Sequence, residues 1–239
     1  MNRTAKGNLY LIPTTIGTEK WESVIPHDVI EITRSLNCFV VEELRTARRY
    51  LSRIGVHTPI DEITFFTLNE HTNPVEVESM MKPLLEGIDV GLISEAGMPA
   101  IADPGSLLVA AAHLKGIKII PLVGPNSIVL TLMASGLNGQ NFAFVGYLPV
   151  KPQERKNRLR QLENRSRTEN QTQLFIEAPY RNLKLFQDIL SACSNATLLT
   201  IGSELTTPEE FIATKSIADW KKSPEPSIHK KNTVFAILG

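Results

Sequence analysis

The sequence lacks the glycine-rich loops of the common nucleotide-binding folds. No two of its 14 glycines stand two positions apart, so a G-x-G-x-x-G fingerprint is absent, and there is no G-x-x-x-x-G-K-[ST] phosphate loop. The G-x-S-x-G nucleophile elbow of acyl hydrolases is missing as well. These absences argue against an ordinary dinucleotide-dependent enzyme, a P-loop NTPase and an α/β-hydrolase.

Cysteine and histidine are also sparse. Cys38 and Cys193 are the only cysteines, and the five histidines are scattered without an H-E-x-x-H pattern or a cysteine-rich partner set. We therefore expect no metal site. Two cysteines far apart in sequence fit a reducing compartment better than a disulfide framework, so we expect a cytoplasmic protein.

Long apolar runs and an excess of one charge are absent too. The apolar run Leu9–Ile12 is followed at once by Pro13, and no segment approaches the roughly 20 apolar residues that a membrane-spanning helix needs. The 25 basic residues balance the 25 acidic ones, so any site for a polyanion must be local. We expect no membrane partner.

Short apolar runs separated by helical patterns indicate an α/β fold. Eight such runs predict strands: Leu9–Ile12, Phe39–Val41, Val90–Ile93, Ile117–Leu122, Phe142–Gly146, Gln173–Ile176, Leu198–Ile201 and Val234–Leu238. The clearest helix is Val75–Glu86, with Asn73 as its cap and Gly87 at its end. Because the early runs lack polar alternation, they favour a mainly parallel sheet covered on both faces.

The composition changes after Leu122. A GPNS turn at residues 124–127 leads into an apolar helical stretch, and the later connections are longer and more polar. We place a domain boundary there, which gives an N-terminal α/β domain of residues 1–123 and a C-terminal one of residues 124–239.

The loop LISEAGMPAIADPG, residues 92–105, is the most informative segment. It follows a predicted strand, and ligands of open α/β sheets bind beyond the carboxyl ends of the strands. Gly97 would let the backbone approach a ligand without a Cβ, and Ser94 and Glu95 offer hydrogen-bonding groups. A merely structural turn between strand and helix explains the same composition.

A basic run lies between residues 151 and 167. Its seven basic residues stand against Glu154 and Glu163, a local balance of 7 − 2 = +5, and they are Lys151, Arg155, Lys156, Arg158, Arg160, Arg165 and Arg167. Such a patch can neutralise phosphates, although a solvated helix face has the same composition. Tyr147 and Tyr180 flank the run and could stack on a base or simply pack.

The order and spacing of the motifs make the combination specific. The chain runs through LYLIPTTIG, VVEELRTARRYL, LNEHTN, LISEAGMPAIADPG, IIPLVGPNSIVLTLMASGL, VGYLPVKPQERKNRLRQL and LFIEAPYRNL. Along nearly its whole length this series resembles the tetrapyrrole-methylase-like, S-adenosylmethionine-dependent methyltransferases. Within that class it is most similar to the RsmI family, which methylates a cytidine ribose 2′-oxygen of small-subunit ribosomal RNA.

This resemblance implies a fold and a cofactor. The fold is two α/β domains, with a mainly parallel N-terminal sheet and a mixed C-terminal sheet, and S-adenosylmethionine binds in the cleft between them. A homodimer is implied as well. Carried over position by position, the resemblance gives these cofactor-binding residues: Pro13, Thr14, Ser94, Glu95, Gly97, Met98, Ser127, Ile128 and Ala178. Met98 could equally be ordinary packing.

Methyl transfer to a hydroxyl requires alignment, exclusion of water and a base. Glu43 is the candidate base, with Arg45 orienting it or contacting a phosphate, although this acidic and basic stretch could be no more than a salt-laced helix start. The substrate-binding candidates, for ribosomal RNA or the small ribosomal subunit, are Lys151, Arg155, Lys156 and Tyr180.

Three motifs depart from the family pattern. The chain has TTIGT at residues 14–18 in place of a TPIGN-like loop, EELR at 42–45 in place of EDTR, and SEAGMP at 94–99 in place of SDAGTP. Two alternatives to a ribose 2′-O-methyltransferase therefore stay open. One is a small-molecule methyltransferase of the tetrapyrrole or corrinoid kind, and the other is a non-catalytic RNA-binding module that has kept the fold.

Overall fold

A computed structural model describes residues 5–239 of the protein. By its internal contacts the chain divides into two units, Met1–Asn126 and Ser127–Gly239. Each unit contains one five-stranded sheet. No helix within residues 5–239 is long and apolar enough to cross a membrane.

The sheet of the first unit is entirely parallel, as the sequence predicts. Its strands are β1 (Asn8–Ile12), β2 (Cys38–Val41), β3 (Thr64–Thr67), β4 (Val90–Ile93) and β5 (Lys118–Pro121). They lie in the order β3-β2-β4-β1-β5. The carboxyl ends of all five strands therefore meet at one edge of the sheet.

Helices cover both faces of this sheet. They are α1 (His27–Ser35), α2 (Leu44–Ile54), α3 (Pro74–Leu85) and α4 (Gly105–Leu114). Alternate strand residues point to opposite faces, so α3 and α4 share one apolar cluster with Val40 and Leu92, whereas α1 and α2 share the other with Phe39 and Ile93. Burial on both faces explains why these strands read as continuous apolar runs.

The predicted capping of α3 is confirmed. The side chain of Asn73 accepts a hydrogen bond from the amide of Val75 at 3.0 Å, and Gly87 follows the helix with a φ of +93°. The helix ends one residue earlier than predicted, at Leu85. Its apolar row is buried against the sheet and consists of Val77, Met80, Met81 and Leu84.

The sheet of the second unit is mixed, also as expected. Its strands are β6 (Phe142–Tyr147), β7 (Thr172–Ile176), β8 (Leu198–Ser203), β9 (Phe211–Ser216) and β10 (Thr233–Leu238). They lie in the order β6-β7-β10-β8-β9, in which only the β6–β7 pair is parallel.

Four helices accompany the second sheet: α5 (Ser127–Ser135), α6 (Pro152–Glu169), α7 (Asn182–Ala192) and α8 (Ile217–Trp220). Apolar residues of α6 and α7 share one core cluster with Phe175 and Phe235. Leu132 of α5 joins the cluster on Leu174 and Val234, which belong to the opposite face of the strands. The basic helix α6 is thus anchored to the sheet along one side.

Candidate functional site

Three loops are joined at the carboxyl ends of β1, β2 and β4, a surface that we call the first-sheet edge. The amide of Thr14 after β1 donates to the carbonyl oxygen of Gly97 after β4, at 2.9 Å. The amide of Glu42 after β2 donates to the carbonyl oxygen of Ile93 at 3.1 Å. Main-chain hydrogen bonds therefore fix the three loops to one another, at the place where open α/β sheets bind ligands.

Two glycines allow the loops of this edge to pack closely. Gly97 has a φ of +75°, and a Cβ added there would lie 3.0 Å from Cγ2 of Ile16. A Cβ on Gly124, in the segment after β5, would lie only 2.2 Å from Cβ of Pro13. A larger residue at position 124 would force the two segments apart, and at position 97 the positive φ would strain any residue that carries a Cβ.

One carboxylate holds the loop after β4 in an uncommon conformation. Ala100 and Ala102 have φ values of 65° and 62°, a left-handed region that costs about 1–2 kcal/mol for each non-glycine residue. Oδ1 of Asp103 accepts hydrogen bonds from the amides of Ala100 at 2.9 Å and Gly105 at 2.7 Å. Burial raises the pKa of Asp103, and the charge of Glu42 acts in the same direction.

The two glutamates after β2 are both engaged by main-chain amides. Glu42 accepts a hydrogen bond from the amide of Glu95 at 3.0 Å, so it fixes the start of the loop after β4. Glu43 caps α2 and accepts from the amides of Arg45 and Thr46. Hydrogen bonds from Thr46, and then from Arg45, lower the pKa of Glu43, which makes it a weaker base.

The polar side chains of the first-sheet edge differ in burial and in hydrogen bonding. The hydroxyl of Thr14 is buried, with the residue 4% exposed, and it forms no hydrogen bond within residues 5–239. Ser94 is buried and donates to the carbonyl oxygen of Ala96 at 3.3 Å. The side chain of Glu95 is exposed, and Met98 is half-buried. A buried hydroxyl without a partner is costly unless a bound group or water pairs with it.

The remaining cofactor-binding candidates lie in the second unit. Ser127 and Ile128 are the first residues of α5, and Ile128 packs against the apolar cluster of that face. Ala178 follows β7; its amide donates to Oε1 of Glu177 at 2.8 Å, and its carbonyl oxygen accepts from the amide of Arg181 at 2.8 Å. Both main-chain polar groups of Ala178 are therefore already paired.

Of the substrate-binding candidates, three have accessible side chains. Lys151 is exposed and forms an ion pair of 3.2 Å with Glu154. The Lys156 ammonium lies 3.6 Å from a carboxylate oxygen of Asp188 and keeps about a third of its side chain exposed. Tyr180 is 61% exposed.

The fourth candidate, Arg155, is not accessible, and this corrects the expectation drawn from the basic run. Arg155 is 2% exposed. Its Nε donates to Oδ2 of Asp188 at 2.9 Å, and Nη1 donates to the carbonyl oxygen of Val150 at 2.7 Å. Because Asp188 is buried as well, the pair links α6 to α7 and is not free to bind phosphate.

The sequence did not single out four residues that organise these surfaces. Asp103 could have been found, because aspartate often accepts from an amide two residues on, and Gly105 stands at that position. The role of Glu42 requires knowing that β2 lies beside β4. Glu177 and Arg181 are paired at 2.6 Å four residues apart, and the spacing alone does not show that the glutamate side chain is fully buried.

No group of three or more histidine, cysteine, aspartate or glutamate residues within residues 5–239 could hold a metal ion. The first-sheet edge instead offers main-chain groups, small residues and the hydroxyl of Thr14, which no described residue pairs with. Such a surface suits a small organic molecule better than a hard cation.

Comparison with known proteins gives a consistent family. Residues 28–220 match the family of Tetrapyrrole (Corrin/Porphyrin) Methylases. The chain is 31% identical over 211 residues to the ribosomal RNA small subunit methyltransferase I of Vibrio cholerae serotype O1. The aligned region covers 88% of this chain and 69% of that protein. It is 34% identical over 211 residues to the protein of the same name from Halalkalibacterium halodurans, with 88% and 68% covered.

Solved structures show the same fold at low sequence identity. The methyltransferase CobJ superposes with a TM-score of 0.64 at 18% identity, over 98% of this chain and 94% of that one. The cobalt precorrin-4 methyltransferase CbiF superposes with a TM-score of 0.61 at 15% identity, over 97% and 94%. At these identities the likeness supports the fold alone.

Proposed function

Because this chain belongs to the tetrapyrrole methylase family, and within it to the RsmI family of methyltransferases, we propose that it methylates a ribose 2′-oxygen of small-subunit ribosomal RNA. The methyl donor in this proposal is S-adenosylmethionine. The acceptor follows from the names of the relatives and from the resemblance of the motifs.

The observation that carries the proposal is the construction of the first-sheet edge. Its loops are joined by main-chain hydrogen bonds, two glycines keep them close, and the buried hydroxyl of Thr14 has no partner among residues 5–239. These features fit an adenosine and methionine derivative, which offers hydroxyl, amino and carboxylate groups to pair with such a surface. Thr14, Gly97, Ser94 and Met98 would contact the donor from this edge.

S-adenosylmethionine supplies a methyl group on a positively charged sulfur, which is already activated for in-line displacement. The chain mainly has to bind, orient and exclude water. Asp103 and Glu42 contribute indirectly, because their carboxylates fix the amides of the loop after β4. Pro13, Glu95, Ser127, Ile128 and Ala178 remain proposed donor contacts on the strength of the resemblance.

A base for the acceptor hydroxyl is harder to assign. Glu43, with Arg45, remains the proposal that the motif suggests, but the capping of α2 occupies both carboxylate oxygens of Glu43. We propose that capping is its main role. Transfer then relies chiefly on the alignment of donor and acceptor, and the proton of the acceptor hydroxyl passes to solvent water.

The exposed side of α6 supports an RNA acceptor. Lys151 and Lys156 keep accessible charge, and further arginines continue along the helix, including Arg158 and Arg160. Charges of this kind neutralise RNA phosphates and bind less tightly as salt increases.

Two measurements test the proposal. Calorimetry with S-adenosylmethionine tests the donor, and absence of binding would favour a non-catalytic RNA-binding module. Mass spectrometry of ribosomal RNA from cells with and without the protein tests the acceptor, with loss of one ribose methylation expected. A third outcome would favour a small-molecule methyltransferase. In that outcome the protein binds the donor, but ribosomal RNA is unchanged and purified small subunits receive no methyl group.

We further propose a homodimer in the cytoplasm, the compartment in which a ribosomal substrate would be met. Apolar side chains exposed on α5 and at the start of β6, namely Met133 and Phe142, are compatible with a second copy. Sedimentation of the purified protein at micromolar concentration tests this, and a monomer at all concentrations would contradict it.

A further inference from the structure

A compact group of side chains in the second unit is not explained by donor binding. Glu177, directly after β7, has a side chain that is 0% exposed. Its Oε1 accepts from Nη2 of Arg181 at 2.6 Å and from the amide of Ala178, while Oε2 has no hydrogen-bond partner within residues 5–239. A buried carboxylate paired in this way holds the guanidinium in one position.

The guanidinium in turn fixes an exposed aromatic ring. Nη1 of Arg181 donates to the hydroxyl oxygen of Tyr180 at 2.6 Å, and the guanidinium carbon lies 4.9 Å from the ring centroid. Since the tyrosine oxygen accepts from Arg181, its own proton is available to donate to another acceptor. The ring itself remains largely exposed to solvent.

The main chain of two further residues, from distant parts of the sequence, lies next to the segment that carries this group. Tyr147, at the end of β6, is paired in register with Ile176 at the end of β7 and is 64% exposed. The amide of Lys230 donates to the carbonyl oxygen of Pro179 at 3.0 Å, so an exposed lysine is attached at the residue that precedes Tyr180. The Lys230 ammonium forms no ion pair with the described residues.

From this arrangement we infer that Tyr147, Tyr180 and Lys230 form a binding platform for a single-stranded RNA nucleotide, and that Glu177 and Arg181 position it. An exposed ring can stack on a base, the free tyrosine proton can donate to a phosphate or ribose oxygen, and the ammonium can neutralise a phosphate. The inference rests on the proposed function for its choice of RNA, and it names the residues that would bind the acceptor.

Binding of a fluorescein-labelled single-stranded RNA, measured by fluorescence anisotropy, tests the platform. We expect Tyr180→Ala to weaken binding about tenfold, because base stacking and a donor are both lost. Tyr180→Phe keeps the ring and should weaken it less. Lys230→Ala should reduce the salt dependence of RNA binding by about one released counterion. The control Lys118→Ala, which removes an exposed lysine from the other unit, should change neither RNA affinity nor its salt dependence. Unchanged binding by Tyr180→Ala would overturn the inference.

A separate experiment distinguishes positioning of Tyr180 by Glu177 from a general contribution of Glu177 to folding. Glu177→Gln should raise KM for RNA several-fold with little change in kcat, and should have no further effect on RNA binding in the Tyr180→Ala background. An equal effect in both backgrounds would show that Glu177 acts through folding alone, and would overturn its assignment.

The wild-type protein separates this inference from the proposed function. If it transfers methyl groups to ribosomal RNA but the Tyr180 variants bind RNA normally, the function stands and the platform fails. If it transfers no methyl group but binds RNA in a Tyr180-dependent manner, the platform stands and the methyltransferase proposal fails.

Discussion

The first-sheet edge and the Tyr180 platform are built in opposite ways. At the first-sheet edge the main chain dominates: amides and carbonyls join the loops, and side chains such as Asp103 serve mainly to hold amides. At the platform the side chains dominate, since Glu177 holds Arg181 and Arg181 holds Tyr180.

This difference predicts opposite sensitivities to mutation. A surface made of closely packed main chain has no room for additional atoms, so it fails when a methyl group is added. A surface made of linked side chains tolerates additions at its rim but fails when a member is removed. Gly124→Ala tests the first of these statements directly. The changes that follow it, in order of decreasing expected effect, measure how much the side chains of the same edge contribute.

The largest effect should come from Gly124→Ala. The added Cβ would lie 2.2 Å from Cβ of Pro13, so the two loops must separate. We expect affinity for S-adenosylmethionine to fall at least a hundredfold by calorimetry, with a lower melting temperature. Gly139→Ala is the matched control, because a Cβ there meets nothing within 4 Å. Normal donor affinity in Gly124→Ala would show that the donor does not depend on this packing.

Asp103→Ala should have the next largest effect. It removes the acceptor for two amides and releases Ala100 and Ala102 from their left-handed conformation, so donor affinity should fall tens-fold. Asp103→Asn keeps an acceptor oxygen and should retain most of the affinity. Equal losses in the two variants would mean that the charge of Asp103 matters rather than its geometry.

The same residue predicts a pH dependence of stability. Because burial raises the pKa of Asp103 in the folded protein, the unfolded chain ionises at lower pH than the folded one. The contribution of Asp103 to stability is therefore fully present below the unfolded pKa and decreases as pH rises through the folded pKa. Denaturant unfolding should show wild type losing stability relative to Asp103→Asn across that interval. An opposite slope would contradict the assigned shift.

Thr14→Val should have a smaller effect, and it should weaken donor binding without lowering stability. If the buried hydroxyl pairs with the donor, its loss should weaken donor binding about three- to tenfold. Stability without donor should stay equal or rise, because an unpartnered polar atom has been removed from the interior. Thr14→Ser keeps the hydroxyl and should bind the donor better than Thr14→Val. Equal donor affinity in wild type and Thr14→Val would exclude the contact.

The smallest effect should follow from Glu43→Ser. Serine is a good helix cap, so α2 should remain stable, and kcat for methyl transfer should stay within about threefold of wild type. Glu43→Ala, which cannot cap, should lower the melting temperature instead. A fall in kcat of a hundredfold or more in Glu43→Ser would restore Glu43 as the base.

Most of the fold could be predicted, and the strands that were missed share a physical reason. β3 (Thr64–Thr67) and β9 (Phe211–Ser216) are edge strands of their sheets, so they are less buried and carry polar residues. The edge strands β5 and β6 were identified because their sequences contain longer apolar runs, whereas β3 and β9 have neither such a run nor a clean alternation. The resemblance of the motifs, by contrast, was sufficient to predict one parallel and one mixed sheet.

The candidate site was predicted only in part, and Arg155 shows one reason. Residues 155, 159, 162 and 166 are spaced along one face of α6, and all four are buried. The periodicity that places Leu159 and Leu162 in the core therefore places Arg155 there as well. The prediction that Arg155 binds substrate rested on the number of positive charges in the run and did not consider this spacing. The partnership of Glu42 with the amide of Glu95 depends on strand order, which no local pattern contains.

The buried pair of Arg155 and Asp188 affects the distance between the two surfaces proposed to bind RNA. It joins α6, which carries the exposed lysines and arginines, to α7, which begins directly after Arg181. The distance between the charges of α6 and the start of α7, which follows Tyr180 and Arg181, is therefore fixed inside the protein by two buried residues. If the chain binds RNA as proposed, this pair fixes the number of nucleotides between a base stacked on Tyr180 and the phosphates bound along α6.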